Sequence, residues 1–299
     1  MSEFFTSIEG TATGQNWALG LALLAAISHA IFGALQKGRF DPWLTRGAID
    51  GAYALMALPF VLFVVPWPEP HMWPIFAGML IIHVIYKVLQ AMAYSRGAYT
   101  VVYPVVRGTG PLVTVLAAGA VFGEQFAPMQ WFGVLLLSGG IFGLAGFNLT
   151  RSRIDQSEIR TAVALAFVTG LFVAIYTTYD AYGIRATADP FTFLAWFFLI
   201  DGLVFPFIAA RRYRRMKTPP PLAPLLRRGV IGGLLAYASF GSIMMATRLD
   251  SVGEAAVLRE TSTVFAALIG WLFLKETVGP VRAGLMAVIA LGALVVEFG

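Results

Sequence analysis

The sequence predicts an all-α polytopic membrane protein with ten transmembrane helices in two inverted five-helix repeats. Three observations predict this class. Of the 299 residues 58% are hydrophobic and only 12% charged, with a mean hydropathy of +0.76, whereas a soluble domain carries about a quarter of its residues charged. Apolar runs of about 20 residues, enough to cross a hydrocarbon core of about 30 Å, recur from end to end, without the alternation in segments of about ten residues that marks a β-barrel. The two halves of the chain also repeat each other's polar landmarks.

The first span is expected at 17–36, where His29, Gly33 and Gln36 share a face. The preceding "MSEFFTSIEGTATGQN" lacks the basic region of a cleavable signal, so insertion is expected to begin with this span. The second, 46–65, carries Asp50. The third, 74–95, places His83, Tyr86, Lys87, Gln90 and Tyr94 at i, i+3, i+4, i+7 and i+11, a single helical face. The fourth, 101–122, aligns Tyr103, Arg107, Pro111 and Thr114, and its Pro104, Gly108 and Gly110 allow bending and close helix approach. The fifth, 128–147, completes the first half. The sixth, 161–182, aligns Tyr176, Thr177 and Asp180, and the seventh, 190–210, carries Asp201. The eighth, 229–248, follows the polar connection "RRYRRMKTPPPLAPLLRR", whose prolines forbid a continuous helix. The ninth, 253–273, carries Arg259 and Glu260, and the tenth, 279–297, ends the chain. Trp17, Trp67, Trp73 and Trp131 at span ends fit interfacial belts.

Charge in the connections orients the chain. Outside the spans 18 Lys and Arg remain, and 16 of them, Arg46 included, fall on one face; only Arg185 and Arg248 fall on the other. The basic face is therefore expected to be cytoplasmic and both termini periplasmic, in a bacterial inner membrane. The same bias accounts for the net charge of +5 without a nucleic-acid partner. Arg211 to Lys217 read as a topology signal, with anionic lipid as a second role.

A spacing of 152 superposes Met92 on Met244, Ser95 on Thr247, Arg96 on Arg248, Arg107 on Arg259, Thr109 on Thr261 and Glu124 on Glu276. A spacing of 148 superposes Asp41-Pro42 on Asp189-Pro190. Repeats are thus expected over 1–150 and 151–299. Five spans per repeat is an odd number, so the second repeat is inverted, the arrangement of secondary transporters with a substrate site between the halves.

Seven ionisable side chains fall inside spans: Asp50, Lys87, Arg107, Asp180, Asp201, Arg259 and Glu260. A guanidinium at a helix centre costs roughly 2.5 to 3.5 kcal/mol on insertion scales, so pairing is expected. His29 and His83 can titrate near neutral pH. The polar faces are expected to meet around a cavity, with Tyr176, Tyr179, Tyr182 and Trp196 as candidates for its aromatic wall. Two roles stand open for Arg107 and Arg259. One is structural, as partners of Asp50, Asp180 or Glu260; the other is binding of an anionic group that matches the guanidinium fork. A gating version places Asp50 near Arg107 at the inner end and Asp180 near Arg259 at the outer end. Lys87 leans to a functional role, His29 stands between structure and proton coupling, and Glu124 and Glu276 read as turn or cap residues.

The segments "HVIYKVLQAMAYSRGAYTVVYPVVRGTGPLVTVLAAGAVFGEQFAPMQWFGVLLLSGGIFGLAG" and "AVLRETSTVFAALIGWLFLKETVGPVRAGLMAVIALGALV" resemble the drug/metabolite transporter superfamily, EamA type, each with an acidic turn between two helices. "SHAIFGALQKG" is similar to a branch with His-Ala followed by a basic residue, some of whose members resemble a group associated with phosphonate utilisation. The resemblance implies a ten-helix carrier for metabolites, proton- or gradient-coupled and often an exporter of amino acids or drugs. Family members are often drawn with cytoplasmic termini, against the charge count; the charge count is kept.

The leading function is therefore secondary transport of a small zwitterionic or anionic metabolite, with export as the leading direction. The alternative is import of an aminophosphonate or quaternary amine, which an aromatic wall could hold by cation–π attraction. An intramembrane enzyme needs a nucleophile or metal set. No His-x-x-x-His, Gly-x-Ser-x-Gly, phosphate-binding loop or cysteine is present, so no cofactor or metal is expected. The bilayer and a small molecule are the expected partners, and monomer and homodimer both stay open.

Overall fold

Inside hydrocarbon every backbone N–H and C=O must find a partner within its own segment, which makes helix the default for each apolar run. A computed structural model describes residues 2–36, 40–96, 99–150, 156–274 and 279–299. A short amphipathic turn, α1 (Ser2–Ser7), precedes the spans. The first half comprises α2 (Ala12–Gln36), α3 (Pro42–Phe63), α4 (Met72–Arg96), α5 (Tyr99–Phe122) and α6 (Pro128–Thr150), one helix per span. In the second half α7 (Gln156–Ala186) and α14 (Pro280–Phe298) are continuous, but three spans are interrupted. The seventh consists of α8 (Pro190–Asp201) and α9 (Phe205–Arg215). The eighth joins α10 (Leu222–Ala236) to α11 (Ser242–Leu249) through a π-helical turn at Tyr237–Gly241. The ninth consists of α12 (Val252–Glu260) and α13 (Ser262–Leu274). Among the described residues nine spans are long and apolar enough to cross a membrane; the ninth span of the sequence, expected as one helix, is divided at Thr261.

Local chemistry explains these boundaries. Asp41 caps α3, accepting from the backbone N–H groups of Trp43 (2.9 Å) and Leu44 (3.3 Å), with Pro42 at the first helical position. Asp189-Pro190 starts α8 in the same way. The second span therefore begins four residues earlier than expected, which draws Arg46 out of the loops and into the helix. The seventh span breaks because Pro206 has no N–H to give and its ring crowds the carbonyl one turn back. The ninth breaks where the Thr261 hydroxyl competes for the Leu258 carbonyl at 2.6 Å.

The helices interlock across the halves. The first span of each half packs on the third and fourth spans of the other: α2 on α10 to α13, and α7 on α4 and α5. The second spans pack on each other (α3 on α8 and α9), as do the fifth (α6 on α14). At this last contact a Cβ on Gly292 would lie 2.5 Å from the Leu137 nitrogen and one on Gly133 2.8 Å from the Gly292 carbonyl, so backbones meet directly. The outer surface of the spans is apolar, with Leu55, Phe63, Ile81, Phe132, Phe207 and Leu294 exposed, and the charges expected within the spans, from Asp50 to Glu260, are buried.

One end of the bundle is stapled by polar contacts. Ser2 Oγ donates to Asp189 (2.7 Å), and Arg248 joins Glu9 (2.5 Å) while donating to the Ile184 and Thr187 carbonyls. Glu69 accepts from Ala188 N (2.8 Å). Glu124 caps α12 from across the bundle, accepting from Ser251 Oγ, Val252 N and Gly253 N at 2.8 to 3.0 Å. Its counterpart Glu276 and the basic residues Lys37, Arg39, Arg151, Arg153 and Lys275 lie outside the described residues.

Candidate functional site

Helical spacing brings one set of charges together. Arg46, Asp50 and Tyr53 recur at four and three residues on α3, His83 and Lys87 at four on α4, Thr177 and Asp180 at three on α7, and Asp201 ends α8. Arg46, Asp50, Tyr53, His83, Lys87, Asp180 and Asp201 are all buried. Asp50 pairs with Arg46 (2.7 Å) and Lys87 (2.7 Å). Lys87 Nζ also meets the Asp201 carboxylate (2.8 Å) and the Tyr53 hydroxyl (3.0 Å), and donates to the Asp201 carbonyl (2.8 Å), which the helix break leaves available. Tyr53 donates its hydroxyl proton to Asp201.

His83 sits between two carboxylates, with Nε2 3.0 Å from Asp180 and Nδ1 3.2 Å from Asp201. A neutral imidazole donates from one nitrogen and accepts at the other. With a carboxylate at each nitrogen, one lone pair would face another unless one further proton is present, on the ring or on a carboxylate. Two carboxylates facing one imidazole are fully satisfied only with one proton more than a neutral ring between two carboxylates supplies.

A second set lies on α5, α7, α12 and α13. Arg107 Nε pairs with Glu260 (2.7 Å), and its Nη2 donates to Ser262 Oγ (3.1 Å), at the break in the ninth span. Arg259 donates to Thr177 Oγ1 at 3.3 Å, and its nearest carboxylate, Glu260, is 3.9 Å away. His29 contacts Ser239 Oγ (3.3 Å) in the π-helical turn and stacks near Tyr103, whose ring also faces Arg107. All three irregular elements thus border the polar interior. π-turns and broken spans are recurrent at functional sites.

The polar faces meet, but on each other more than around a chamber. One void of about 10 Å³ is lined by Tyr176, Thr177, Asp180, Phe240, Met244 and Arg259, and another of about 10 Å³ by Arg46, Tyr53, His83, Tyr86, Phe198 and Asp201 among others. Each has room for about one water.

Of the residues expected from the sequence, His83, Lys87, Asp50, Asp180 and Asp201 converge in the first set, and Arg107, Arg259 and Glu260 in the second. The Tyr86 and Tyr176 rings meet at 4.7 Å with their planes tilted by 56°, and Gln90 donates to the Tyr86 hydroxyl (2.7 Å). Of the partners open to Arg107 and Arg259, Arg107 takes Glu260 and not Asp50, which is held by Arg46 and Lys87; Asp180 lines one void with Arg259 but pairs with His83. Tyr182 is exposed, and Trp196 packs on Trp67 and Trp73, so neither lines the interior. Arg46, Tyr53, Ser239 and Ser262 are additions. Arg46 and Tyr53 share the helix face of Asp50, a signal visible once Asp41 is read as the cap of α3.

The comparisons agree with this architecture. Residues 16–146 and 160–298 each match the family model described as "EamA-like transporter family". Five spans fall in each matched segment. No curated protein matches the chain. A solved structure described only as "Crystal structure of protein" is similar in fold, with a TM-score of 0.74 over 95% of this chain and 96% of that one at 16% identity.

Proposed function

The chain belongs to the EamA-like transporter family, and from that premise we propose that it is a proton-coupled secondary carrier for a small zwitterionic or anionic metabolite, working in export. Its place is the bacterial inner membrane, with the basic loops cytoplasmic and the termini periplasmic, a reading supported by the skew of loop Lys and Arg. The observation that carries the proton coupling is His83 held between Asp180 and Asp201. A proton shared by three groups on α4, α7 and α8 ties those helices together, and its loss leaves like charges facing each other. Protonation thereby changes which helix arrangement is favoured, which is what coupling requires. Alternating access then opens the interior to one side at a time as the interrupted spans of the second half flex against the continuous ones.

The test uses proteoliposomes loaded with a mixture of amino acids, carboxylates, amines and nucleosides, and mass spectrometry of what exchanges against the same mixture outside. At least one component is expected to exchange, faster when a pH gradient is imposed. Exchange no greater than in protein-free vesicles for every component defeats the carrier reading; exchange indifferent to the pH gradient defeats the coupling.

A further inference from the structure

The four buried cations at the centre of the bundle are not equally satisfied. Arg46, Lys87 and Arg107 each have a carboxylate at 2.7 Å, but among the described residues Arg259 has none nearer than 3.9 Å and only a long bond to the Thr177 hydroxyl. The four carboxylates are unequal too. Asp50 engages two cations, Asp201 engages Lys87, His83 and Tyr53, and Glu260 holds Arg107. Asp180, among the described residues, pairs with His83 alone. The least engaged cation and the least engaged anion line the same void, whose remaining wall is Tyr176, Phe240, Ile243 and Met244 together with Thr177 and Thr247.

We propose that Arg259 and Asp180 form the cargo site for a zwitterion of α-amino acid type with an apolar side chain: the cargo carboxylate on Arg259, its ammonium on Asp180, its side chain against Phe240 and Met244. This rests on the carrier reading above. A cargo of one charge would engage one of the two residues and leave the other buried without a full partner, the costly state in low dielectric. A zwitterion satisfies both. Its ammonium takes Asp180 over from His83, and the proton that bridged them leaves for solvent. Four cations and four carboxylates then remain balanced around a neutral cargo.

That exchange links cargo binding to proton release. The groups facing His83 are Asp180 and Tyr176 from α7, Asp201 and Phe197 from α8, Tyr86 on its own helix and, through Asp201, Tyr53 on α3 and Lys87. The void holds about one water as it stands, so cargo entry requires its wall to move. Phe240 lies in the π-helical turn and Arg259 one residue pair before the break at Thr261, so both walls belong to irregular backbone.

The experiment compares three isosteric ligands on the detergent-purified full chain: L-leucine, 4-methylpentanoate (no ammonium) and isoamylamine (no carboxylate). The readout is the concentration giving half-maximal thermal stabilisation. Leucine is expected to act at concentrations about tenfold lower than either analogue, the scale of one charged hydrogen bond. In Arg259→Gln the preference over isoamylamine is expected to collapse, and in Asp180→Asn the preference over 4-methylpentanoate, while Arg259→Lys keeps part of the first. Counterflow of labelled leucine in proteoliposomes serves as the second readout. Equal action of all three ligands, no action by leucine, or unchanged preferences in both variants overturn the zwitterion site. In each of those cases the mixed-metabolite exchange decides separately whether the carrier reading stands.

Discussion

Lys87 and Asp201 are joined twice, through the carboxylate at 2.8 Å and through the main-chain carbonyl at 2.8 Å. The side chain thus neutralises a buried charge and satisfies a backbone carbonyl that the interruption after Asp201 leaves without its helical donor. Replacing Lys87 by Met leaves Asp50, Asp201 and the carbonyl short of a partner, and the expected loss is about 3–5 kcal/mol. Thermal unfolding of the purified chain checks this; a loss under about 1 kcal/mol contradicts it.

His83→Gln retains a donor and an acceptor but cannot carry the extra proton. Exchange between equal pools is expected to persist, and its acceleration by a pH gradient to vanish. Proteoliposome exchange at matched and unmatched pH separates the two.

Arg107 and Arg259 occupy equivalent registers yet predict different costs. Arg107→Gln strands Glu260, whose partner lies at 2.7 Å, whereas Arg259 has no carboxylate that close. The first variant is expected to lower thermal stability by about 3 kcal/mol or more and the second by clearly less, with Glu260→Gln partly restoring Arg107→Gln. Equal losses in the two single variants would falsify the assignment.

A Cβ on Gly202 would lie 2.5 Å from the Asp50 carbonyl and 2.5 Å from the Ala54 Cβ. Gly202→Ala therefore pushes α3 from the break and disturbs the Asp50–Lys87–Asp201 contacts. A loss of about 1–3 kcal/mol is expected, read from the melting midpoint.

The N-terminal staple titrates in a known direction. Burial alone would raise the Asp189 carboxyl, but hydrogen bonds from Thr192, Ser2 and the Phe191 N–H outweigh it and hold the group below its ordinary range. Glu69 is likewise lowered, by the Ala188 N–H and the Thr187 hydroxyl against its partial burial. A depressed carboxyl stabilises fully above its unfolded value, about 3.9 for Asp, and that contribution is lost as pH falls through the folded value. The chain has no cysteine, so a spin label at Ser7→Cys reports α1 alone. The label is expected to stay immobile from pH 8 to about 5 and to loosen only below about 4. Loosening near pH 6.5 contradicts the assignment.

The helical class and the polar faces were legible because a bilayer penalises every unpaired charge, which leaves residues such as Lys87 and Arg107 conspicuous in an apolar run. The pairings were legible only as alternatives, with Glu260 standing beside Asp50 and Asp180 as a partner for the arginines. Sequence shows which groups share a helix, as with Arg46 and Asp50, but partners such as Glu260 for Arg107 depend on how α5 crosses α12. Arg46 was misplaced because a charge count treats the first turn after a loop as loop, whereas the Asp41 cap starts α3 earlier. The divided spans were hidden by hydropathy, which registers apolar length and not the hydrogen bond missing at Pro206.

All three interruptions lie in the second half, while α3, α4 and α5 run unbroken, even through Pro104 and Pro111 in α5. A carrier of two equivalent halves would find its two facing states equal in free energy. Here compliance is unequal: one half serves as a frame and the other as a spring. If the proposed alternating access holds, the two orientations are expected to differ in free energy before any cargo or proton binds, with the resting population skewed by the fold itself. Amide exchange faster at 202–204, 237–241 and 261 than at the matching depths of α3, α4 and α5 is the signature of that asymmetry.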